Sequence, residues 1–414
     1  MKLIFKLAWR SIWRNWRRSF LTIVAIFFAV FLSVAMRGIQ NGTYENNIKM
    51  AASIFTGYLQ IQREGYHDNP SLLKSYKYSD KLREYLENNE DIKAFTPRIN
   101  GFGLIGKEEK SFGVALFGID PSTETNVTTL NTKIKEGKFL SNDRKYDIIL
   151  GRTLLDNLNA QIGDTVVILT SGFDGSMGNL KFRISGVSKM GSREFDAMSV
   201  FMTLDAANEL MAMRGRITSI AISLGSIDIL PKIKKDLSKY FEKNKIKGKE
   251  LTVLDWGELM PELKQSIELD DISGILFLAI LIVVVAFGIL NTLTMSITER
   301  FRDFGVMLAL GTDHGTLIKI VFLETLILTV IGLIAGSLAG YAVNYYIYLN
   351  PITFGGNIAE VAQEFGFEPK VWASIEPMIF VNNAIVILIT AMVAFIYPAW
   401  KVIKLEALKG IRYT

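Results

Sequence analysis

The stretch 297-ITERFRDFGVMLALGTDHG-315 separates two long apolar runs, Ile272–Met295 and Ile318–Leu349. A helix needs roughly 20 residues to cross a bilayer, and both runs supply them. The stretch is therefore read as the turn between two spans. Phe301, Phe304 and Leu308 recur at i, i+3 and i+7, which gives a short helix an apolar face. Gly311 is placed to stop that helix, and Thr312 or Asp313 to cap the next one. Glu299, Arg300, Arg302 and Asp303 can bond another protein; equally, the stretch is an ordinary inside loop whose arginines hold the lipid boundary. The residues alone leave these two readings even.

Outward from this turn, two more segments are long enough to span, Phe20–Met36 and Met378–Trp400. The whole chain agrees: 414 residues, 50% of them hydrophobic, with a mean hydropathy of +0.27. Lys and Arg near span ends mark the inside face. Lys2, Lys6, Arg10, Arg14, Arg17 and Arg18 precede the first span, Arg300, Arg302 and Lys319 lie between the second and third, and Lys401, Lys404, Lys409 and Arg412 follow the fourth. The loop between the third and fourth spans carries Lys370 against Glu360, Glu364, Glu368 and Glu376. Both termini are thus expected inside, and the long stretch between the first two spans outside. Ser33-Val34-Ala35 resembles a signal-peptide cleavage site, but the basic region before it is long for a signal peptide.

The expected fold is α-helical and membrane-embedded, four transmembrane helices with a large extracytoplasmic mixed α+β domain inserted between helices one and two. Its parts are an interfacial amphipathic helix (1–18), the first span (19–39), the outer domain (40–271), the second span (272–297), the loop helix (298–314), the third span (315–349), an outer loop (350–377), the fourth span (378–400) and a tail (401–414). Within the first part, Ile4, Phe5, Trp9, Ile12, Trp13 and Trp16 fall opposite Lys2, Lys6, Arg10, Arg14 and Arg17, which suits a helix lying in the headgroup region. The outer domain alternates strand and helix patterns. Strands are read at "GYLQIQ", "SFGVALFGI", "DTVVILT", "LKFRISGVS", "MSVFMTL", "ITSIAISL" and "LTVLDW", and helices at Ser79–Asn89, Asp205–Met213 and Ile229–Asn244. The strand-rich part, about 123–214, is expected as an inserted subdomain, and Leu259–Asp270 as a helix continuous with the second span.

Gly332, Gly336 and Gly340 form a small-residue stripe on the third span, a surface for close helix packing or, less favoured, a hinge. Glu324 sits inside the third span, where an acid needs a partner; Arg300 and Lys319 are the candidates, and Asn291 is read as an interhelical hydrogen bond.

The order of these parts, together with "ITERFRDFGVMLALGTDHGTLIKIVFLETLIL" and the ending "YPAWKVIKLEALKGIRY", resembles the ABC transporter permeases related to MacB and FtsX, which include the lipoprotein-releasing LolC and LolE subunits. That family follows its second span with approximately E-R-x-R-E-[IF]-G-x-[LM]-x-A-[LI]-G; Glu299, Arg300, Arg302, Asp303, Phe304, Gly305, Met307, Ala309, Leu310 and Gly311 match, with Asp303 in the acidic place. Pro398, Ala399, Val402, Ala407 and Leu408 match the family's ending. The resemblance implies a coupling helix docked in an ATPase groove, a second permease subunit, like or related, and a pair of ATPase subunits. The chain has no G-x-x-x-x-G-K-[ST] phosphate loop, so ATP and Mg are expected on the partner ATPase and no cofactor on this chain.

No cysteine occurs, which excludes disulfides and thiolate chemistry. The two histidines, His67 and His314, make no metal motif, no catalytic residue or metal site is expected, and a net charge of +5 does not suggest nucleic acid. The favoured function is release of lipoproteins from a bacterial inner membrane, with a periplasmic carrier as acceptor and Met36, Ile39, Ile267, Leu269 and Ile272 lining a greasy cleft. The alternatives are a MacB-like efflux or secretion permease and an FtsX-like regulator of a wall hydrolase. The loop "SGFDGSMGNL" is short and proline-free where a LolC-type subunit carries a long acceptor-hooking loop.

Overall fold

The computed structural model describes residues 2–244, 250–356, 359 and 369–406. Within them the chain forms two compact units. One comprises the described residues of Met1–Tyr44, Ile267–Thr353 and Lys370–Thr414; the other comprises those of Glu45–Ser266 and Phe354–Pro369.

The first unit is helical. An amphipathic helix, Lys2–Arg14, breaks at Asn15, and four long helices follow: Trp16–Ala51, Pro261–Glu299, His314–Leu349 and Pro377–Ile403. All four are long and apolar enough to cross a membrane. The first extends beyond its expected span, to Ala51, and the second runs unbroken from Pro261, in line with the helix expected over Leu259–Asp270. Ala8, Ser11 and Ile12 of the amphipathic helix are buried, whereas Phe5, Trp9, Trp13 and Trp16 are exposed, the arrangement of a helix with aromatics at headgroup depth. Gly332, Gly336 and Gly340 are buried on the third span, where an added Cβ would come within 2.7 Å of Ile26, of Phe27 and Val30, and of Val34 on the first span. Small residues there let the two backbones approach. Polar contacts add to the packing: Asn344 donates to the Val34 carbonyl at 2.9 Å, Thr22 to Thr292 at 2.7 Å, and Ser33 to Asn383.

The second unit is α/β. Its strands are β1 (Leu59–Arg63), β2 (Tyr76–Lys77), β3 (Ile92–Lys107), β4 (Lys110–Ile119), β5 (Ile134–Gly137), β6 (Asp147–Gly151), β7 (Thr165–Ser171), β8 (Met177–Ser188), β9 (Ser199–Thr203), β10 (Arg216–Ile217), β11 (Ser219–Leu224) and β12 (Leu251–Asp255). Ten make one sheet in the order β12-β1-β11-β3-β4-β9-β6-β8-β5, and β7 pairs with both β3 and β8. That double pairing closes β3, β4, β9, β6, β8 and β7 into a ring. Ile105, Val114, Leu116, Ile148, Leu150, Val166, Ile168, Phe182, Ile184, Val200 and Met202 alternate along its strands and are buried together. The strand-rich part expected as an insertion is therefore continuous with the rest: β3 pairs with β11 through its first half and with β7 through its second. A 16-residue strand serves both because Gly101 and Gly103 lie at close approaches, within 2.6 Å of Met211 and of the Leu169 carbonyl for an added Cβ.

Expected helices appear at Asp80–Glu87 and Leu230–Lys243, and the Asp205–Met213 helix at Leu204–Leu210. Ser79 caps the first of these by accepting from the Leu82 N–H. The tail from 407, with Ala407, Leu408, Lys409 and Arg412, lies outside the described residues, as do Glu360, Glu364 and Glu368.

Candidate coupling site

The loop helix is Phe301–Ala309, shorter than the expected 298–314. Arg300, with φ −102° and ψ 9°, breaks it from the second span. Its other end closes through two backbone bonds, Gly311 N–H to the Leu308 carbonyl and Thr312 N–H to the Met307 carbonyl, both 3.0 Å. This is the Schellman closure, and it needs a residue with positive φ; Gly311 has +91°. Asp313 then caps the third span, accepting from the Thr316 N–H at 2.9 Å and hydroxyl at 2.6 Å. These donors hold the Asp313 carboxyl below its usual range.

The inward face is apolar. Phe304 is fully buried among Leu293, Ile297, Leu317, Val321, Ala394 and Val402, with Phe301, Met307 and Leu308 packed at its margin. Gly305 is buried beside it. Lys401 reaches over the Phe301 ring at 5.7 Å and donates to the Thr298 hydroxyl at 3.2 Å.

Three of the four charges expected to meet another protein are instead held within the chain. Arg300 is buried and donates from Nη1 to Glu324 Oε2 at 3.2 Å and to Ser11 Oγ at 2.7 Å. Ser11 in turn donates to Glu324 Oε2 at 3.0 Å, Ser296 donates to Oε1 at 3.3 Å, and the Arg300 guanidinium lies 4.7 Å from the Phe304 ring centre. Glu299 accepts from Arg18 at 2.8 Å and from Asn15 at 3.2 Å. Asp303 pairs with Arg14 at 3.2 Å, both side chains more than half exposed. Of the two partners considered for Glu324, the structure selects Arg300. It also adds Ser11, Arg14, Asn15 and Arg18, which sequence reading missed. Their spacing of 11, 14, 15 and 18 was the available signal, one polar stripe along the amphipathic helix and its continuation.

The outward face is therefore small and defined. Arg302 is exposed and has no partner among the described residues. Val306 is 43% and Leu310 82% exposed, and Ala309 and Gly311 lie open beside them. Residues 302, 306, 309 and 310 share one side of the helix.

The residues proposed for a cleft do not form a comparable group. Leu269 and Ile272 are exposed, and Met36, Ile39 and Ile267 are half-buried. The contacts joining the first two spans there are polar: Arg37 with Asp271, and Tyr44 and Gln40 with Asp270. Asn291, expected between helices, is exposed. Among the described residues no cluster of His, Asp or Glu is suited to hold a metal ion.

A family model described as a MacB-like periplasmic core domain matches residues 19–240, more than half of the chain, and one described as the FtsX-like permease C-terminal matches residues 275–407. The lipoprotein-releasing system transmembrane protein LolC of Xylella fastidiosa is 25% identical over 72% of this chain and 72% of its own length. An uncharacterized ABC transporter permease of Methanocaldococcus jannaschii is 24% identical over 81% of this chain and 82% of its own. The macrolide export ATP-binding/permease protein MacB of Aggregatibacter actinomycetemcomitans is 23% identical over 81% of this chain and 52% of its own.

Proposed function

This chain belongs to the MacB- and FtsX-like ABC transporter permeases, and from that premise we propose that it couples a separate ATPase to rearrangement of its extracytoplasmic domain through the helix Phe301–Ala309. The observation that carries the proposal is the division of that helix into two faces. Phe304 and the Arg300–Glu324 pair fix it to the membrane bundle, while Arg302, Val306 and Leu310 stand unengaged. A helix held this way moves with its spans when something pushes on the open face. The second span is one helix from Glu299 back to Pro261, so it offers no break at which displacement would be absorbed. ATP and Mg, on this reading, belong to two ATPase subunits whose closure drives two permease subunits. Only a difference in ATPase affinity between the two permease arrangements can shift their balance.

The loop helix and both termini face the cytoplasm on this reading, and the α/β unit faces the periplasm. Leu310→Asp tests the docking face: the variant is expected to insert and fold normally, because Leu310 is 82% exposed, yet to lose co-purification of the ATPase and transport. Unchanged co-purification would refute the assignment.

For the cargo, the similarity to LolC supports lipoprotein release. Each acyl CH₂ costs roughly 0.8 kcal/mol to bring into water, about 12 kcal/mol for a chain of about sixteen carbons, so release needs ATP-driven work and a lipid-binding acceptor. Depletion is expected to leave lipoproteins in the inner membrane. The similarity to MacB supports the second reading, export or secretion, for which lipoproteins stay correctly placed and sensitivity to a toxic compound rises instead.

A further inference from the structure

At the end of the helical unit opposite the loop helix, a cavity of about 300 Å³ opens between the first, second and fourth spans. Its size lies at the lower limit for small-molecule sites. Its polar wall is Arg37, Asn41, Glu376 and Asn382, and its apolar wall includes Leu278 and Val386.

The polar wall has unused hydrogen-bonding capacity. The Asn41, Asn382 and Glu376 side chains bond no other described residue. Arg37 engages Asp271 through Nη1 alone, which leaves the rest of its donor fork open. The wall is also built rather than accidental. Ser374 N–H donates to the Gly38 carbonyl at 2.7 Å, and Thr43 Oγ1 donates to the Trp372 carbonyl at 3.3 Å, so the segment leading into the fourth span is tied across the first. An added Cβ on Gly42 would come 2.4 Å from the Ala373 backbone, so this crossing needs glycine there. Asn383, a buried residue of the cavity wall, is locked by Ser33 and by its own bond to the Ile379 carbonyl at 2.8 Å.

We propose that this cavity binds the headgroup of a zwitterionic aminophospholipid. A guanidinium fork recognises phosphate, a carboxylate accepts from a primary ammonium, and carboxamides suit ester carbonyls. Charged groups at the rim with Leu278 and Val386 deeper match the boundary between headgroup and hydrocarbon, where acyl chains continue along the spans. Arg37 is already charge-paired with Asp271, and the added carboxylate of Glu376 favours a lipid that carries an ammonium group over an anionic one. The site depends on the chain spanning a membrane and not on what the transporter carries.

The test is native mass spectrometry of the intact protein from nanodiscs containing phosphatidylethanolamine, phosphatidylglycerol and phosphatidylcholine in equal amounts. Phosphatidylethanolamine is expected to be retained over the other two. Glu376→Gln should cut its retention about tenfold, toward that of phosphatidylglycerol, the scale of one charge-assisted hydrogen bond. Asn382→Leu should weaken retention of phosphatidylethanolamine and phosphatidylglycerol alike. Each altered side chain is exposed and without an internal bond, so both variants should keep the wild-type melting temperature. Equal retention of the three lipids, or unchanged retention in Glu376→Gln, overturns the proposal. Displacement of the lipid by soluble glycerophosphoethanolamine also overturns it, since the site would then read a free aminophosphate.

Discussion

Arg300 shows how far a residue's role departs from its motif. In sequence it stands among charges that look available to a partner. In the structure it is buried, paired with Glu324 and bridged by Ser11. A buried charge left alone costs roughly 3–5 kcal/mol, whereas an apolar pair of similar volume is often neutral. Arg300→Met and Glu324→Leu should therefore each lower the detergent-solubilised protein's melting temperature, and the double variant should recover most of the loss. A double variant as unstable as the sum of the singles would show that the two do not act as a pair. That Glu324 needs a partner was legible, because an intramembrane acid does. Ser11 was not, since 313 residues separate it from Glu324 and only folding brings them together. Leu310 lies off the apolar face of Phe301, Phe304 and Leu308, and the turn of the helix leaves it outside while Phe304 goes in.

Among elements, the four long helices were legible because each needs only an uninterrupted apolar run. The far end of the first was not, because Gly42–Ala51 is polar yet helical, whereas the helix ahead of the second span was expected over Leu259–Asp270 and is continuous with it. The stripe on the third span lies against Ile26, Val30 and Val34 of the first, and its test is a matched pair. Gly336→Ala would place a Cβ 2.7 Å from the Phe27 carbonyl, whose backbone cannot move aside, so folded yield and melting temperature should fall. Gly288→Ala, whose Cβ would meet Ala25 at 3.9 Å, should be tolerated. Equal effects would mean that the first and third spans are not in close contact along the stripe. Strands were less readable than helices. β3 carries three glycines, which erase alternation, and β6 offers an apolar run of only three residues, Ile148–Leu150, that resembles any buried segment. Both are nonetheless central to the ring of strands.

For the whole molecule, two units and their insertion order followed from where the apolar runs fall. Ring closure did not, since it depends on β7 meeting β3 some 60 residues away, a pairing no local pattern encodes. Cargo is similarly beyond local pattern, because the relatives named for lipoprotein release and for macrolide export are 25% and 23% identical to this chain. The coupling claim can be addressed directly because the sequence contains no cysteine, so one introduced thiol is the sole label site. Leu310→Cys should react with a membrane-impermeant maleimide in inside-out vesicles, remain unlabelled in intact spheroplasts, and become protected when the ATPase is bound. Labelling from the outer face, or reaction at the same rate with and without the ATPase, would contradict the account.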